Sequence, residues 1–348
     1  MKQILEKVFQ NSFFRDSFWA LLGSVILRGS ALVSSIMLAH ILLKTTFGEF
    51  NSLKNTFTTL AVFTTFGLGY TSTKFVADFL HSKKTNLRKL VNQIYRITIT
   101  FSGVISLLLF VIILNEIFEK KNGIIGGLGI FKKLSLINVV MGIVTIILLP
   151  VLSYTHGLIG ACISLLVIQF VNSILNYVLI QKELRIIESN SEATNVGAIE
   201  YKDILLFSVP LTLIEAFFSI FLWLNYFLLQ NYQNYDEVAI YSAAMQWYVV
   251  LLFIPTVLRN VILSYFSRNE SGSRSSVLKN AVLISIITTL IPAAIVFFMA
   301  PCVSQMYGKT FSELTLVLRI IVFIPVFSSI INVLEQFLFS VSKNWLVF

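Results

Sequence analysis

Three charged side chains stand in stretches that are otherwise almost wholly apolar: Arg28, Lys54 and Glu215. A charge held in hydrocarbon costs at least ~2.5 kcal/mol at the centre of a membrane helix, so it faces a cavity or a partner. Guanidinium presents a planar fork of donors that matches phosphate, and ammonium a point charge. Arg28 and Lys54 are therefore candidate anchors for a phosphate-bearing ligand. Glu215 is a candidate for exchanging a proton or Na⁺. Ser24, Arg28 and Ser35 fall on one helical face, as do Lys54, Thr58 and Thr65. Gln169, Asn172 and Asn176 form an amide stripe, and Ser208, Thr212, Glu215 and Ser219 another polar one, with Ser328, Asn332 and Glu335 near the end of the chain. Hydroxyls and amides both donate and accept, which suits a sugar.

Each has a plainer reading. Lys54 lies within a turn of its expected helix start, where lysine snorkels to the interface. Glu215 serves equally as the structural partner of an arginine, and amide stripes hold membrane helices together. His40 sits near a helix end, where an interfacial place accounts for it. Lys74 and Arg259 are expected at a cytoplasmic mouth, where topology alone explains them. The three histidines form no HExxH and no metal cluster, and there is no P-loop, so no catalytic centre, ATPase site, metal or cofactor is expected.

The elements that must position these residues follow from length and apolarity. The chain has 348 residues, 56% hydrophobic and 12% charged, about half the charge of an ordinary soluble domain. A spanning helix takes about 20 mostly apolar residues. That length predicts spans at about Phe18–Leu43, Asn51–Leu68, Ile97–Leu114, Leu134–Tyr154, Leu158–Ile180, Ile204–Leu229, Val238–Val261, Val277–Ala300 and Leu314–Phe339. The first is too long for a cleaved signal and carries Arg28, so a retained helix is expected. Net charge is +9, but the basic residues fall between apolar runs, where they orient helices. A nucleic-acid partner is excluded on that ground. Cys162 and Cys302 lie far apart and indicate neither disulfide nor zinc. Pro210, Pro255, Pro292 and Pro325 fall inside expected spans and permit kinks.

Positive charge places residues 74–96 and 259–279, the N-terminus and the 181–203 loop on the cytoplasmic side. Counting crossings, however, leaves the chain outside at Gln181. One crossing is missing, and the stretch 116–131 is too short and charged to supply it. A helix lost between about Asn115 and Gly123 is the expectation.

The segments LAHILLKTTFGEFN at 38–51 and FGLGYTSTKFVADF at 66–79 resemble the polysaccharide and oligosaccharide flippases of the multidrug/oligosaccharidyl-lipid/polysaccharide (MOP) exporter superfamily, with O-antigen flippases nearest. Phe47, Gly48 and Phe50 match the first motif; Gly67, Leu68, Gly69, Lys74, Val76 and Ala77 match the second. Residues 122–140 resemble the link from fourth to fifth helix, and 156–180 the sixth. His40 stands where the family has arginine and Leu43 where it has glycine. The fourth helix, and the last two beyond SVSKNWLVF, are absent from the pattern.

The resemblance implies an all-α polytopic membrane protein of two pseudo-repeated, MATE-like lobes, incomplete in helix count. The expected lobes are 1–182 and 203–348, with a cytoplasmic linker at 183–202. A weak echo of 122–137 in 331–348, and basic loops at matching places in the two halves, agree with parallel repeats. The implied function is a bacterial inner-membrane flippase. It would move an undecaprenyl-pyrophosphate-linked oligosaccharide for surface polysaccharide, with lipids and H⁺ or Na⁺ as its other partners. A cation-coupled multidrug antiporter of the same superfamily is the alternative. Such a pump needs an acid in its cavity, whereas a flippase needs fixed positive charge. An inactive truncated product is a third reading, and a membrane enzyme of glycan assembly a fourth, the latter disfavoured by the absence of motifs.

Overall fold

The computed structural model describes residues 12–65, 71–72, 75–76, 87–106, 128, 130–189, 201–253, 255–256 and 274–340. The described residues are helical, with no strand among them. The order is α1 (Ser12–Ile41), α2 (Lys44–Thr65), α3 (Leu87–Ser106), α4 (Phe131–Ser189), α5 (Tyr201–Tyr232), α6 (Tyr235–Leu251), α7 (Arg274–Tyr307), a 3-10 turn (Lys309–Phe311), α8 (Leu314–Ile321) and α9 (Ile324–Ser340). Among the described residues five helical stretches are long and apolar enough to cross a membrane. Large apolar side chains point outward, as with Phe298 at 78% exposure, while Ser164, Ser208 and Ser329 are fully buried. That inversion is what a lipid solvent produces: hydrocarbon accepts Phe freely, and hydroxyls must find partners inside.

α4 has 59 residues, which as one rod would be about 90 Å long against a hydrocarbon core of about 30 Å. It folds back at Gly157, whose φ of 56° lies in the left-handed region, where lack of a Cβ removes the penalty. Three pairs nest about this turn. Gly160 is so close to Leu152 that a Cβ would collide with its carbonyl oxygen. Ser164 Oγ donates to the Leu148 carbonyl at 3.2 Å, and Lys133 pairs with Glu183. The two arms are thus antiparallel spans, reversing between Tyr154 and Leu158 as the apolar lengths predict.

The helices differ from the sequence ruler where charge or proline intervenes. α3 begins ten residues before its expected start, because Leu87, Leu90, Val91, Ile94 and Ile97 form one buried face while Arg88, Lys89 and Arg96 stay exposed. The expected last span is broken at Val322–Phe323. Pro325 lacks the N–H that would bond the Ile321 carbonyl, and its ring would clash there.

The chain divides into two compact units, Met1–Ser34 with Leu53–Leu224, and Ser35–Ser52 with Asn225–Phe348. In the first, a core of Val76, the start of α3, Ile180, Leu184 and Ile204 gathers the beginnings of α3 and α5 with the end of α4. Leu128, Ile130 and Leu134 pack on the same core, so α3 and α4 set out from one end. α1 runs parallel to the first arm of α4. Gly23 meets Ser135, where a Cβ would come within 2.6 Å of the Ser135 Cα, and Gly142 meets Ser30. Lys132 lies 5.4 Å above the Trp19 ring. Such small-residue crossings let helix backbones approach in lipid.

This packing puts Arg88, Lys89, Lys132, Lys133, Lys182 and Arg185 at a single basic end, as the positive charges require. The stretch where a helix is expected to be missing, 115–123, lies outside the described residues. In the second unit Val238, Ala239, Ile240, Ala243 and Ala244 of α6 are all but fully buried. α7 and α9 meet through Thr289 and Ser329, 3.3 Å apart.

Candidate functional site

Arg28 is half-buried on α1, sixteen residues after Ser12 and thirteen before Ile41. At 1.5 Å per residue that is about 24 Å and about 20 Å from the two ends. Lys54 is exposed on α2. α2 begins at Lys44, so Lys54 lies about 15 Å into the helix instead of within a turn of its start. The polar KTTFGEFN segment does not read as a span, which is why its helix is missed. Both cations belong to the first unit, on the two arms of one helical hairpin.

The amide stripe divides. Gln169 is half-buried. Asn172 and Asn176, expected to line a cavity, are 4% and 0% exposed. Asn176 Nδ2 donates to the Asn172 carbonyl at 3.0 Å and to its Oδ1 at 2.8 Å. Asn176 Oδ1 has no hydrogen-bond partner. This pair is enclosed in the helix packing and does not line an open surface.

On α5, Glu215 is half-buried and Ser208, Thr212 and Ser219 are buried. Ser208 shares a 2.7 Å hydrogen bond with Thr71, and the Ser219 carbonyl accepts from Thr59 Oγ1 at 3.4 Å. Trp223 Nε1 donates to Thr56 Oγ1 at 3.1 Å. α2 therefore spends Thr56 and Thr59 on α5, while Thr58 turns its hydroxyl back to the Lys54 carbonyl at 2.8 Å. Sequence reasoning missed this seam. Hydroxyls at i and i+3 are the signal that marks it.

Two further residues were not anticipated. Gln246 Nε2 donates to Ser35 Oγ at 2.5 Å, and its Oε1 accepts from Tyr307 at 3.2 Å. No local spacing reveals a triad drawn from α1, α6 and α7. Ser328 meets Tyr248 at 3.2 Å, and Asn332 and Glu335 are half-buried. Lys74 and Arg259 lie outside the described residues. Among the described residues no three of His, Cys, Asp or Glu could hold a metal.

The first unit carries two cations well inside their helices, Arg28 on α1 and Lys54 on α2. Residues 13–122 match the family described as polysaccharide biosynthesis protein. A multidrug-resistance MATE transporter of the MOP superfamily in an inward-facing conformation aligns over 94% of this chain and 85% of its own, with TM-score 0.65 and 16% identity. The fold is that of this MATE structure. A MATE structure in complex with MaD5 gives 0.66 over 99% of this chain and 86% of its own, at 16% identity. A MOP transporter from Pyrococcus furiosus, described as having a binding pocket of reversed polarity, gives 0.60 at 18% identity over 97% and 83%. No curated protein matches in sequence. The chain shares the helical fold of these membrane transporters, and its apolar helical stretches make it a multi-pass membrane protein.

Proposed function

We propose that the protein is a flippase that moves an undecaprenyl-pyrophosphate-linked oligosaccharide from the cytoplasmic to the periplasmic leaflet of the bacterial inner membrane. The observation that carries this reading is the depth of Arg28 and Lys54 in a MOP fold whose 13–122 segment matches a polysaccharide biosynthesis family. A cation that deep needs water or an anion beside it. A pyrophosphate supplies the anion, with Arg28 as the bidentate contact and Lys54 as the point charge. Gln169 and the half-buried hydroxyls of α1 suit the first sugars. The basic end is the cytoplasmic one, because lysine and arginine resist translocation.

A second reading, a cation-coupled multidrug antiporter, is favoured by the multidrug transporters among the fold's relatives and by Glu215 as the coupling acid. A related MOP transporter is described with reversed pocket polarity, so pocket sign varies within the fold. Here the two cations favour an anionic substrate over a cationic drug.

The test is complementation of a strain lacking its own O-antigen-type flippase, with this chain supplied alone. Restored surface polysaccharide supports the flippase. No restoration, together with raised resistance to lipophilic cations, moves the assignment to the antiporter.

A further inference from the structure

Both arms of α4 carry a lysine at the same end of the first unit. Lys132 opens the first arm, Lys182 lies within two turns of the end of the second, and both are exposed. Beside them Lys133 pairs with the buried carboxylate of Glu183, which ties the arms together at this height. Arg185 on α4, and Arg88 and Lys89 on α3, are exposed as well. The apolar core shared by α3 and the end of α4 brings them to this end.

The depth of this end follows from where the apolar stretches begin. Those of α1 and α4 start at Leu21 and Phe131, so Trp19 and Lys132 stand at their edge. Lys132 Nζ lies 5.4 Å above the Trp19 ring. An indole at the edge of a spanning helix sits among lipid headgroups, and the ammonium over its face shares that depth.

Below each lysine runs an apolar stripe. Leu136, Val140, Ile143 and Ile147 follow Lys132 on one face of the first arm, and all four are exposed. Val178, Ile174 and Val167 descend from Lys182 on one face of the second arm and are exposed too. Each stripe reaches fifteen residues from its lysine, about 22 Å. One leaflet offers ~15 Å of hydrocarbon, so each stripe is long enough for an acyl chain.

We propose that the basic end of the first unit is a binding site for anionic glycerophospholipid. Lys132 and Lys182 each take a headgroup phosphate, and the stripe below each takes an acyl chain. The surrounding cations select for net negative charge, because in phosphatidylcholine the choline cancels the phosphate. The depth of Trp19 and Lys132 points to a headgroup rather than to an acidic protein in the cytosol. Helix orientation alone asks for a basic end; a lipid site adds a headgroup preference that can be measured. The proposal needs only the multi-pass membrane reading and is independent of what is transported.

The test is native mass spectrometry of the purified full chain in detergent, titrated with phosphatidylglycerol or phosphatidylcholine. Phosphatidylglycerol is expected to bind the more tightly. Lys132→Gln and Lys182→Gln are each expected to weaken it roughly fivefold, with phosphatidylcholine unchanged. Lys132→Arg and Lys182→Arg are expected to keep the parent's affinity. Lys279→Gln with Lys309→Gln removes two exposed lysines from the second unit and is expected to leave it unchanged. Equal binding of the two lipids by the parent would overturn the site. So would parental affinity in the double Lys132→Gln, Lys182→Gln protein, or an equal loss in the control pair. Retention of a polyprenyl phosphate in place of phosphatidylglycerol would also overturn it and give the patch to a transported lipid. None of these readouts requires flipping, so a failed complementation leaves the site standing.

Discussion

Replacing Arg28 separates an anion-binding role from a structural one, because the two predict opposite signs. Arg28 sits near the middle of the 30-residue α1, too far from either end for its side chain to reach an interface. A charge at that depth costs insertion at least ~2.5 kcal/mol, and alanine is the better helix former. Arg28→Ala should therefore leave the protein inserted at normal or higher level. A bidentate charge-assisted contact to pyrophosphate is worth about 1.5–3 kcal/mol, which at 1.36 kcal/mol per decade is roughly a 10- to 150-fold loss of flipping. Arg28→Lys keeps the charge and loses the fork, so a smaller loss, roughly 3- to 10-fold, is expected. The assay is translocation of a lipid-linked oligosaccharide in proteoliposomes, normalised to inserted protein and ordered as parent, lysine, alanine. Alanine protein that flips within twofold of the parent would refute the reasoning. So would lysine and alanine variants that fail equally because neither inserts.

Three predictions concern the frame. Gly160→Ala forces a Cβ onto the Leu152 carbonyl across the Gly157 turn, and overpacking of this kind costs about 1–3 kcal/mol; melting in detergent should fall, and an unchanged midpoint would disprove the close approach. Glu183→Gln leaves Lys133 without its carboxylate at the basic end. Lys133 is half exposed, so the loss should be about 1–2 kcal/mol, below the 3–5 of a fully buried pair. Glu183→Leu with Lys133→Met should recover most of it, and denaturation of the three proteins side by side decides. Pro325→Ala restores an N–H one turn after Ile321 and should raise the melting temperature while lowering transport. No change in either would show that the break at Val322–Phe323 has another cause.

Much of the frame is legible without coordinates. The two arms of α4, their reversal at Gly157 and the length of α5 follow from apolar runs and one glycine, all local signals. The break before Pro325 follows from a missing N–H. The beginning of α2 is not legible, because Lys44, Thr45, Thr46 and Glu49 make it read as a loop. Its helix exists because Phe47 and Phe50 are buried and the polar residues bond to distant elements. That error also misplaces Lys54, which looks interfacial in the sequence and is deep in the structure.

The sequence by itself determines that this is a multi-pass helical membrane protein, which end is basic, and which polar residues share a helical face. Those are properties of runs and periods within one helix, set by hydrocarbon thickness and by the turn of the backbone. Only the tertiary structure decides what covers each face. It encloses Asn176 and leaves Gln169 half open, turns Thr56 and Thr59 onto α5, and brings Ser35 to Gln246 and Thr45 to Asp236 across about two hundred residues of chain. Such pairings depend on how separate helices cross. In lipid, where apolar surface has no preferred partner, close-packed small residues and hydrogen bonds make that choice.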